Sequence, residues 1–225
     1  MKKLTLVLVV LAAGPVFATN YDTGYEPQGL EELKKMKKSV FSTVLVRPDV
    51  DFSRYGKIQP QTVALVIRDP SSMNQFSTGR LISKREDESV IPEYEEVVEF
   101  KQIVGNIIAT SIADELDLEI VDAASPGTLI LQPVVTDVEI GSSSKNTAED
   151  GRELPQLNEG VIVFDLVDGE TGQILARFAE KRRNRPPKTE RKSEGLWPNL
   201  AYWAEGVAAD LCAEFNKLKG GGPAA

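Results

Sequence analysis

The amino-terminal segment constrains the fold most, because it has the layout of an export signal that does not belong to the folded protein. Lys2 and Lys3 precede a short apolar run over residues 4–13, and Val16 and Ala18 are small residues at the positions that a signal peptidase reads. The apolar run is well short of the roughly 20 residues that a membrane-spanning helix needs. We therefore expect cleavage after Ala18 and a mature chain that folds in the periplasm or is secreted.

The remainder of the chain predicts one domain with short extensions. The chain has 225 residues, of which 41% are hydrophobic, enough to build a core. We expect a polar leader and short helix over residues 19–39, with the helix at Leu30–Lys38. A single domain is predicted over residues 40–218, followed by a disordered tail over residues 219–225 that contains three consecutive glycines.

Two helices and several strands predict an α+β two-layer sandwich. Apolar residues with a period near 3.6 predict helices over Tyr94–Asp117 and from Pro198 to Leu218, each with one apolar face. We expect a mixed or antiparallel sheet of three to five strands with both long helices on one face. Gly141–Asn158 reads as a polar loop, and Pro133 suggests an edge position or a bulge. The predicted strands are Val40–Val46, Thr62–Ile67, Leu118–Val121, Thr128–Ile140, Gly160–Val167 and Ile174–Arg182, the last two joined by a hairpin turn at Asp168–Gly172.

Composition excludes several classes of chemistry. The chain has no histidine, so Ser-His and Cys-His nucleophile pairs and imidazole zinc ligands are not available. One cysteine, Cys212, forms no internal disulfide, and its place on the apolar stripe of the last helix predicts a buried thiol. A lipid anchor is not expected, because the first mature residue would be Thr19 instead of cysteine. We predict no catalytic residue, no metal site and no cofactor.

The charge distribution points to one candidate site. The net charge is −8, which opposes binding of nucleic acid. Against this background, a cluster of basic residues stands out, followed by Trp197, Tyr202 and Trp203. It could bind an anionic partner, or it could be a strand end and solvated loop that nearby glutamates neutralise. The candidate residues are Lys181, Arg182, Arg183, Arg185, Lys188, Arg191 and Lys192.

Two groups of carboxylates have structural explanations. Asp49, Asp51 and Ser53 match the first three ligands of a calcium loop, but Arg54 and Pro60 stand where its glycine and glutamate belong. We expect instead a turn whose carboxylates cap backbone N–H groups. The acidic run from Glu86 to Glu99 could serve a glycosidase only if one carboxyl had a raised pKa in an apolar cleft. A hydrated start of the long helix is the expected alternative.

One stretch resembles a known bacterial family. The segment Val46–Ile58, with its Arg-Pro-Asp-Val-Asp turn followed by Ser53-Arg54-Tyr55-Gly56-Lys57, resembles the opening motif of domain-of-unknown-function family 3313. Leu129–Val138 and Asp165–Arg177 resemble the family's second half, so the similarity covers about Leu30–Leu218. The resemblance implies an exported, often lipid-anchored envelope protein with no assigned activity. The missing lipidation cysteine departs from that pattern.

These observations together predict a non-enzymatic, exported cell-envelope protein that acts as an interaction module. The expected partner is an envelope protein or an anionic envelope component, without nucleic acid and without a membrane-spanning segment. Two alternatives stay open: a glycan hydrolase that works through carboxylates, and a periplasmic domain that binds a small ligand.

Overall fold

The computed structural model describes residues 29–67, 92–147, 151, 153–184, 197 and 199–220. The expected signal peptide, the leader up to Gln28 and the last five residues lie outside this part of the chain. The described residues form two α-helices, α1 (Tyr94–Glu115) and α2 (Leu200–Gly220), and eight strands. The strands are β1 (Lys34–Lys35), β2 (Thr43–Val46), β3 (Lys57–Pro60), β4 (Ala64–Ile67), β5 (Glu119–Ile120), β6 (Thr128–Thr147), β7 (Glu153–Asp168) and β8 (Ile174–Arg183).

All eight strands belong to one mixed sheet. Its order is β1-β2-β8-β7-β6-β3-β5, and β4 pairs with β6 further along the same edge as β3. The pairs among β1, β2, β8, β7 and β6 are antiparallel, whereas β3 and β4 run parallel to β6, and β5 runs parallel to β3. The α+β class is therefore correct, but the prediction of a three- to five-stranded sheet is wrong. Strands of two to four residues, such as β1, β3 and β5, are too short to show a period in the sequence.

The two helices run in the same direction and pack against each other. The indole N–H of Trp197, just before α2, donates to the carbonyl of Glu96 in the first turn of α1 (2.6 Å). Further along, the thiol of Cys212 donates to the carbonyl of Ser111 (3.7 Å). Both contacts join residues that are 101 positions apart in the sequence. The two helices therefore run parallel and keep the same register from one contact to the other. Neither helix of the described part of the chain is both long and apolar enough to cross a lipid bilayer.

The main core lies between this helix layer and one face of the sheet. From α1, every fourth residue from Phe100 to Ile112 contributes to this core. From β7, alternate residues such as Phe164 contribute to it. Burial of each such large apolar side chain stabilises the fold by about 1.5–3 kcal/mol. A second, smaller cluster consists of Val161, Val163 and Ala179. These residues occupy the intervening positions of β7 and β8, so they lie on the sheet face away from the helices.

Two local predictions are wrong. In place of a helix over Leu30–Lys38, a 3-10 turn at Leu30–Glu32 leads into β1, and Lys34 and Lys35 pair with Val46 and Leu45. A nine-residue helix is marginal alone, and pairing with β2 satisfies the backbone instead. The predicted loop Gly141–Asn158 consists mostly of the extended ends of β6 and β7. These strands were not predicted because their residues are mostly polar, and their extended conformation depends on pairing with each other.

Pro133 was predicted at an edge position or a bulge, and it occupies neither. It lies inside the sheet, and the register of β6 against β7 is unbroken from Leu129 to Thr136. On one side of β6 it faces Phe164 of β7. On the other side, β3 pairs up to Leu131 and β4 begins at Val134. Pro133 therefore stands where the parallel partner changes, a place where a residue without an N–H interrupts the ladder least.

Candidate interaction site at the base of the ribbon

Strands β6 and β7 continue past the rest of the sheet as a two-stranded ribbon. They pair with each other as far as Thr147 and Glu153. On the outer side of β6, pairing with β4 ends at Val138, and on the outer side of β7, pairing with β8 ends at Glu159. We call residues 139–147 and 153–158 the ribbon. Within the described ranges, no further strand pairs with its outer edges.

The ribbon joins the sheet through two successive bulges, one on each strand. On β6, Asp137 and Val138 together face Gly160, because the register runs from Thr136 opposite Val161 to Glu139 opposite Glu159. Asp137 adopts the left-handed conformation (φ 52°), which aspartate tolerates better than most residues. A bulge bends its strand and increases the local twist, so the ribbon changes direction here.

The second bulge lies on β7 at Asn158. Ile140 faces Leu157 directly after Glu139 faces Glu159, which leaves Asn158 as the extra residue. Gly141 makes room for it, since a Cβ atom on Gly141 would lie 2.6 Å from the Asn158 side-chain nitrogen. Ile140 and Leu157 are both buried in the main core. The first pair of ribbon residues therefore anchors the ribbon to the body of the domain.

An ion-pair cluster lies beside these bulges, on the sheet face away from the helices. The two carboxylate oxygens of Glu159 bind Lys181 Nζ (2.6 Å) and Arg183 Nε (2.9 Å). The Glu159 side chain is 11% exposed, whereas Lys181 and Arg183 are 49% and 69% exposed. Glu139 faces Glu159 across the strand pair and is exposed. The ion-pair cluster consists of one largely buried acid and two bases, and the cations lie on the solvent side.

The ion pairs with Lys181 and Arg183 lower the pKa of Glu159. Burial alone would raise it, but the hydrogen bonds from Lys181 and Arg183, together with their charges, outweigh burial and lower it. Asp51 and Asp168 also have lowered pKa values. These carboxyl groups are therefore ionised near neutral pH, whereas glycoside hydrolysis needs a general acid with a raised pKa.

The structure separates the described members of the predicted basic patch. Lys181 and Arg183 lie on the sheet face away from the helices, but Arg182 points to the helix layer and forms an ion pair with Asp210 of α2. The Arg182 carbonyl accepts a hydrogen bond from the Trp203 indole (3.4 Å). Alternation along β8 explains the split, because neighbouring residues of a strand face opposite sides. Arg185, Lys188, Arg191 and Lys192 lie outside the described residues.

A second charged pair on the same sheet face was not predicted from the sequence. Arg177 of β8 binds Asp165 of β7 through two hydrogen bonds of 2.6 Å each, and Asp165 is fully buried. The two residues are direct partners across the strands. The register of β7 and β8 shifts between Leu166 and Val167, so counting outwards from the predicted hairpin turn misses this pair by one residue.

The Asp-rich turn has the structural role that its chemistry predicts. Asp51 Oδ1 accepts hydrogen bonds from the Ser53 N–H (2.9 Å) and the Ser53 hydroxyl (2.6 Å), and it caps the 3-10 helix Phe52–Arg54. Within the described part of the chain, no three Cys, Asp or Glu side chains come together as a metal ion would require. Of the acidic run, Glu86 to Glu88 lie outside the described residues. Glu93 and Glu96 occupy the start of α1, where the Glu93 N–H donates to Glu96 Oε2 (2.8 Å). The predicted hydrated start is wrong for Glu96, which is buried.

Comparisons with known proteins place the chain in no family. No family model matches it, and no curated protein matches it. Among solved structures, the PelC dodecamer of Paraburkholderia phytofirmans is similar over 80% of this chain and 96% of that chain, with 13% identity and a TM-score of 0.35. A PDZ domain protein of Parabacteroides distasonis is similar over 87% of this chain and 39% of that chain, with 14% identity and a TM-score of 0.38. Likeness at this level carries no argument about function, and membership of family 3313 stays a prediction.

Proposed function

We propose that this protein is a non-enzymatic interaction module of the cell envelope that binds a protein partner along its ribbon. The observation that carries the proposal is the pair of outer ribbon edges, which no described strand covers beyond Val138 and Glu159. Each edge presents backbone N–H and C=O groups that a strand of another chain can pair with.

The thermodynamics of a two-stranded ribbon support this assignment. An isolated pair of strands is marginally stable in water, and a third strand or a hydrophobic surface is needed to hold it. The ribbon is anchored at its base by Ile140 and Leu157, which are buried. Further out, its residues 141–147 are mostly polar, with three consecutive serines at 142–144, and polar residues supply little apolar surface. An added strand from a partner would stabilise this outer part.

The charges at the ribbon base supply a means of selecting the partner. A strand added along the outer edge of β7 would continue the line of β8 and begin just beyond Asn184, whose N–H donates to the Asn158 carbonyl (2.8 Å), close to Arg183. Lys181 and Arg183 expose their cationic groups there, although the chain as a whole is acidic. Complementary charge contributes specificity and association rate more than affinity, so an acidic partner segment would be favoured.

Site-specific photo-crosslinking in intact envelopes tests the proposal. A photo-reactive residue at Asn158, exposed in the ribbon, is expected to capture a discrete protein. The same residue at Gln102, exposed on α1, serves as the matched control and is expected to capture nothing. A variant in which an Asn-Gly turn replaces residues 142–155 and joins the paired residues Gly141 and Gln156 removes the outer ribbon.

The outcomes separate partner binding from pairing within the chain. Loss of the Asn158 crosslink in the shortened variant supports the proposal. Crosslinks from Asn158 that stay within the same chain contradict it, because the ribbon edge is then covered internally. Equal capture from Asn158 and Gln102 also contradicts it, since the contact then does not depend on the ribbon.

A further inference from the structure

We infer that the two outer edges of the sheet bind each other between copies of this chain, so that the protein associates head to tail. The sheet begins with β1 and ends with β5, and in the described part of the chain each of these strands pairs on one side only. The partner is a second copy, which places its β5 beside β1 of the first. These edges are separate from the ribbon, so the inference goes beyond the proposed function.

The edge formed by β1 is basic, and we call residues 31–40 the basic edge. It carries four lysines, all of them exposed, against two glutamates. One of these glutamates, Glu32, already forms an ion pair with Arg47 next to β2. A surplus of positive charge on a chain whose net charge is −8 suits this edge to an acidic surface. The exposed lysines are Lys34, Lys35, Lys37 and Lys38.

The edge formed by β5 has the opposite charge, and we call residues 114–122 the acidic edge. It carries five exposed carboxylates and no basic residue, and Lys57 of β3, which pairs with Glu119, offsets one charge at most. The N–H groups of Glu119 and Val121 donate towards β3 (2.9 Å each), so Ile120 between them directs its backbone N–H and C=O outwards. The carboxylates belong to Asp114, Glu115, Asp117, Glu119 and Asp122.

Each edge supplies the charge that the other edge lacks. A charged side chain normally blocks pairing between sheet edges, because it is costly to bury without a partner of opposite sign. In a head-to-tail contact the lysines of one copy meet the carboxylates of the next, which offsets that cost and speeds association. Val40 and Ile120 are two of the four large apolar side chains that are exposed in the described residues, and one lies at each edge. The same contact would bury both.

The directions of the strands allow the contact to repeat. Four antiparallel pairs lead from β1 through β2, β8 and β7 to β6, whereas β3 and β5 run parallel to β6. Four reversals leave β1 and β5 pointing the same way. A second copy with its helix layer on the same side therefore lays its β5 parallel to β1 of the first. Because such a contact uses different surfaces on the two copies, it continues into a closed ring or an open filament.

Charge reversal at each edge, followed by sedimentation velocity of the purified protein, tests the inference. Lys34→Glu with Lys37→Glu makes the basic edge acidic, and Asp114→Lys with Asp117→Lys and Asp122→Lys makes the acidic edge basic. We expect the wild-type protein to associate and each variant to associate about tenfold more weakly or less. An equimolar mixture of the two variants should associate again, because every contact between unlike copies then joins an acidic edge to a basic one.

The matched control reverses three exposed acids away from both edges and is expected to associate like the wild type. Its substitutions are Glu95→Lys, Glu170→Lys and Glu205→Lys. Circular dichroism shows whether each variant folds. If an edge variant does not fold, wild-type protein at low and high sodium chloride replaces it, because salt screens exposed charges and should weaken the association.

Several results would overturn the inference. A wild-type protein that stays monomeric up to about 1 mM, where weak contacts are populated, contradicts it directly. So do edge variants that associate like the wild type, a mixture of the two that stays monomeric, or association that does not respond to salt. The variant without the outer ribbon is expected to keep its association. The edge contact and the Asn158 crosslink therefore fail separately.

Discussion

The hydroxyl of Tyr55 donates a 2.5 Å hydrogen bond to Oδ2 of Asp168, and this contact joins two parts of the chain 113 residues apart. Tyr55 lies just before β3, and Asp168 ends β7 at the hairpin turn. The guanidinium of Arg54 reaches the same carboxylate oxygen at 2.7 Å. The other oxygen, Oδ1, accepts the backbone N–H groups of Glu170 and Thr171 (2.9 Å each). The segment that resembles family 3313 therefore locks the start of β3 to the β7–β8 hairpin.

The lock shifts the pKa of both members. Burial raises the pKa of Tyr55 to about 12, and its hydrogen bond to Asp168 adds to the shift. Burial alone would raise the pKa of Asp168. The hydrogen bonds that its carboxylate accepts outweigh burial and lower the pKa to about 2; the donors are Tyr55, Thr171, Glu170 and Arg54. The pair is most stable with a neutral tyrosine and an ionised aspartate.

Removal of the Tyr55 hydroxyl is expected to destabilise the domain. Tyr55→Phe deletes a buried donor to a charged acceptor and should lower the free energy of unfolding by about 2 kcal/mol. Urea denaturation followed by circular dichroism measures the change. The control is Tyr94→Phe, since Tyr94 is 78% exposed and its hydroxyl should matter little. A loss no larger than that of the control would show that the lock does not stabilise the fold.

The same pair predicts that the free energy of unfolding is highest at intermediate pH and falls towards both acid and alkaline pH. Because the pKa of Asp168 is depressed from 3.8 to about 2, its contribution is present above the unfolded pKa and is lost as pH falls through the folded value. The shift corresponds to about 2 kcal/mol. The pKa of Tyr55 is raised from 10.0 to about 12, so its contribution is present below pH 10 and is lost as pH rises through the folded value. Urea denaturation across this pH range measures both decreases in unfolding free energy. Tyr55→Phe should lack the decrease at alkaline pH.

Gly169 is expected to tolerate no side chain. A Cβ atom there would lie 2.8 Å from the Thr128 carbonyl oxygen, which also accepts the Gly169 N–H at 2.9 Å. The obstacle is backbone, which cannot move aside as a flexible side chain can. Gly169→Ala should therefore cost about 1–3 kcal/mol of unfolding free energy. Gly56→Ala is the matched control, because nothing lies within 4 Å of its Cβ position. Equal thermal midpoints for both variants would contradict the predicted clash.

Cys212 is expected to resist thiol reagents while the protein is folded. The thiol is buried, which raises its pKa to about 12, and the negative charge of Glu115 adds to the shift. The thiolate is the reactive form, so the native protein should react with a disulfide reagent only as fast as it unfolds. Reaction rates measured at increasing urea should rise in parallel with the unfolded fraction. Rapid labelling in the absence of urea would show that the α1–α2 interface opens locally.

Features that depend on neighbouring residues were predicted well. The long helix was expected over Tyr94–Asp117 and forms at Tyr94–Glu115, because its hydrogen bonds join residues four apart and its apolar residues repeat at the same spacing. The hairpin turn at Asp168–Gly172 joins β7 and β8 as its residue types indicate, with Gly172 at positive φ. The burial of Cys212 was also predicted correctly.

Features that depend on distant partners were not predicted. The sequence predicts a loop where the ribbon forms, because the polar residues there show no hydrophobic periodicity. The two strands form only by pairing with each other. The basic cluster was read as one patch, whereas β8 directs Arg182 towards α2 and its neighbours towards the opposite face. Neither the Glu159 cluster nor the Tyr55–Asp168 contact could be recognised, because their members are far apart in the sequence.

Patterns within the chain were enough to predict the α+β class, the two long helices, the hairpin and the buried thiol of the last helix. Each of these rests on interactions within a few residues, and composition or spacing records such interactions directly. The number of strands, the order of the sheet, the ribbon and the charged contacts at its base are visible only in the folded protein. These features depend on which segments pair across the sheet. A strand of two to four residues has too few positions for its hydrophobic pattern to identify the strand that it pairs with.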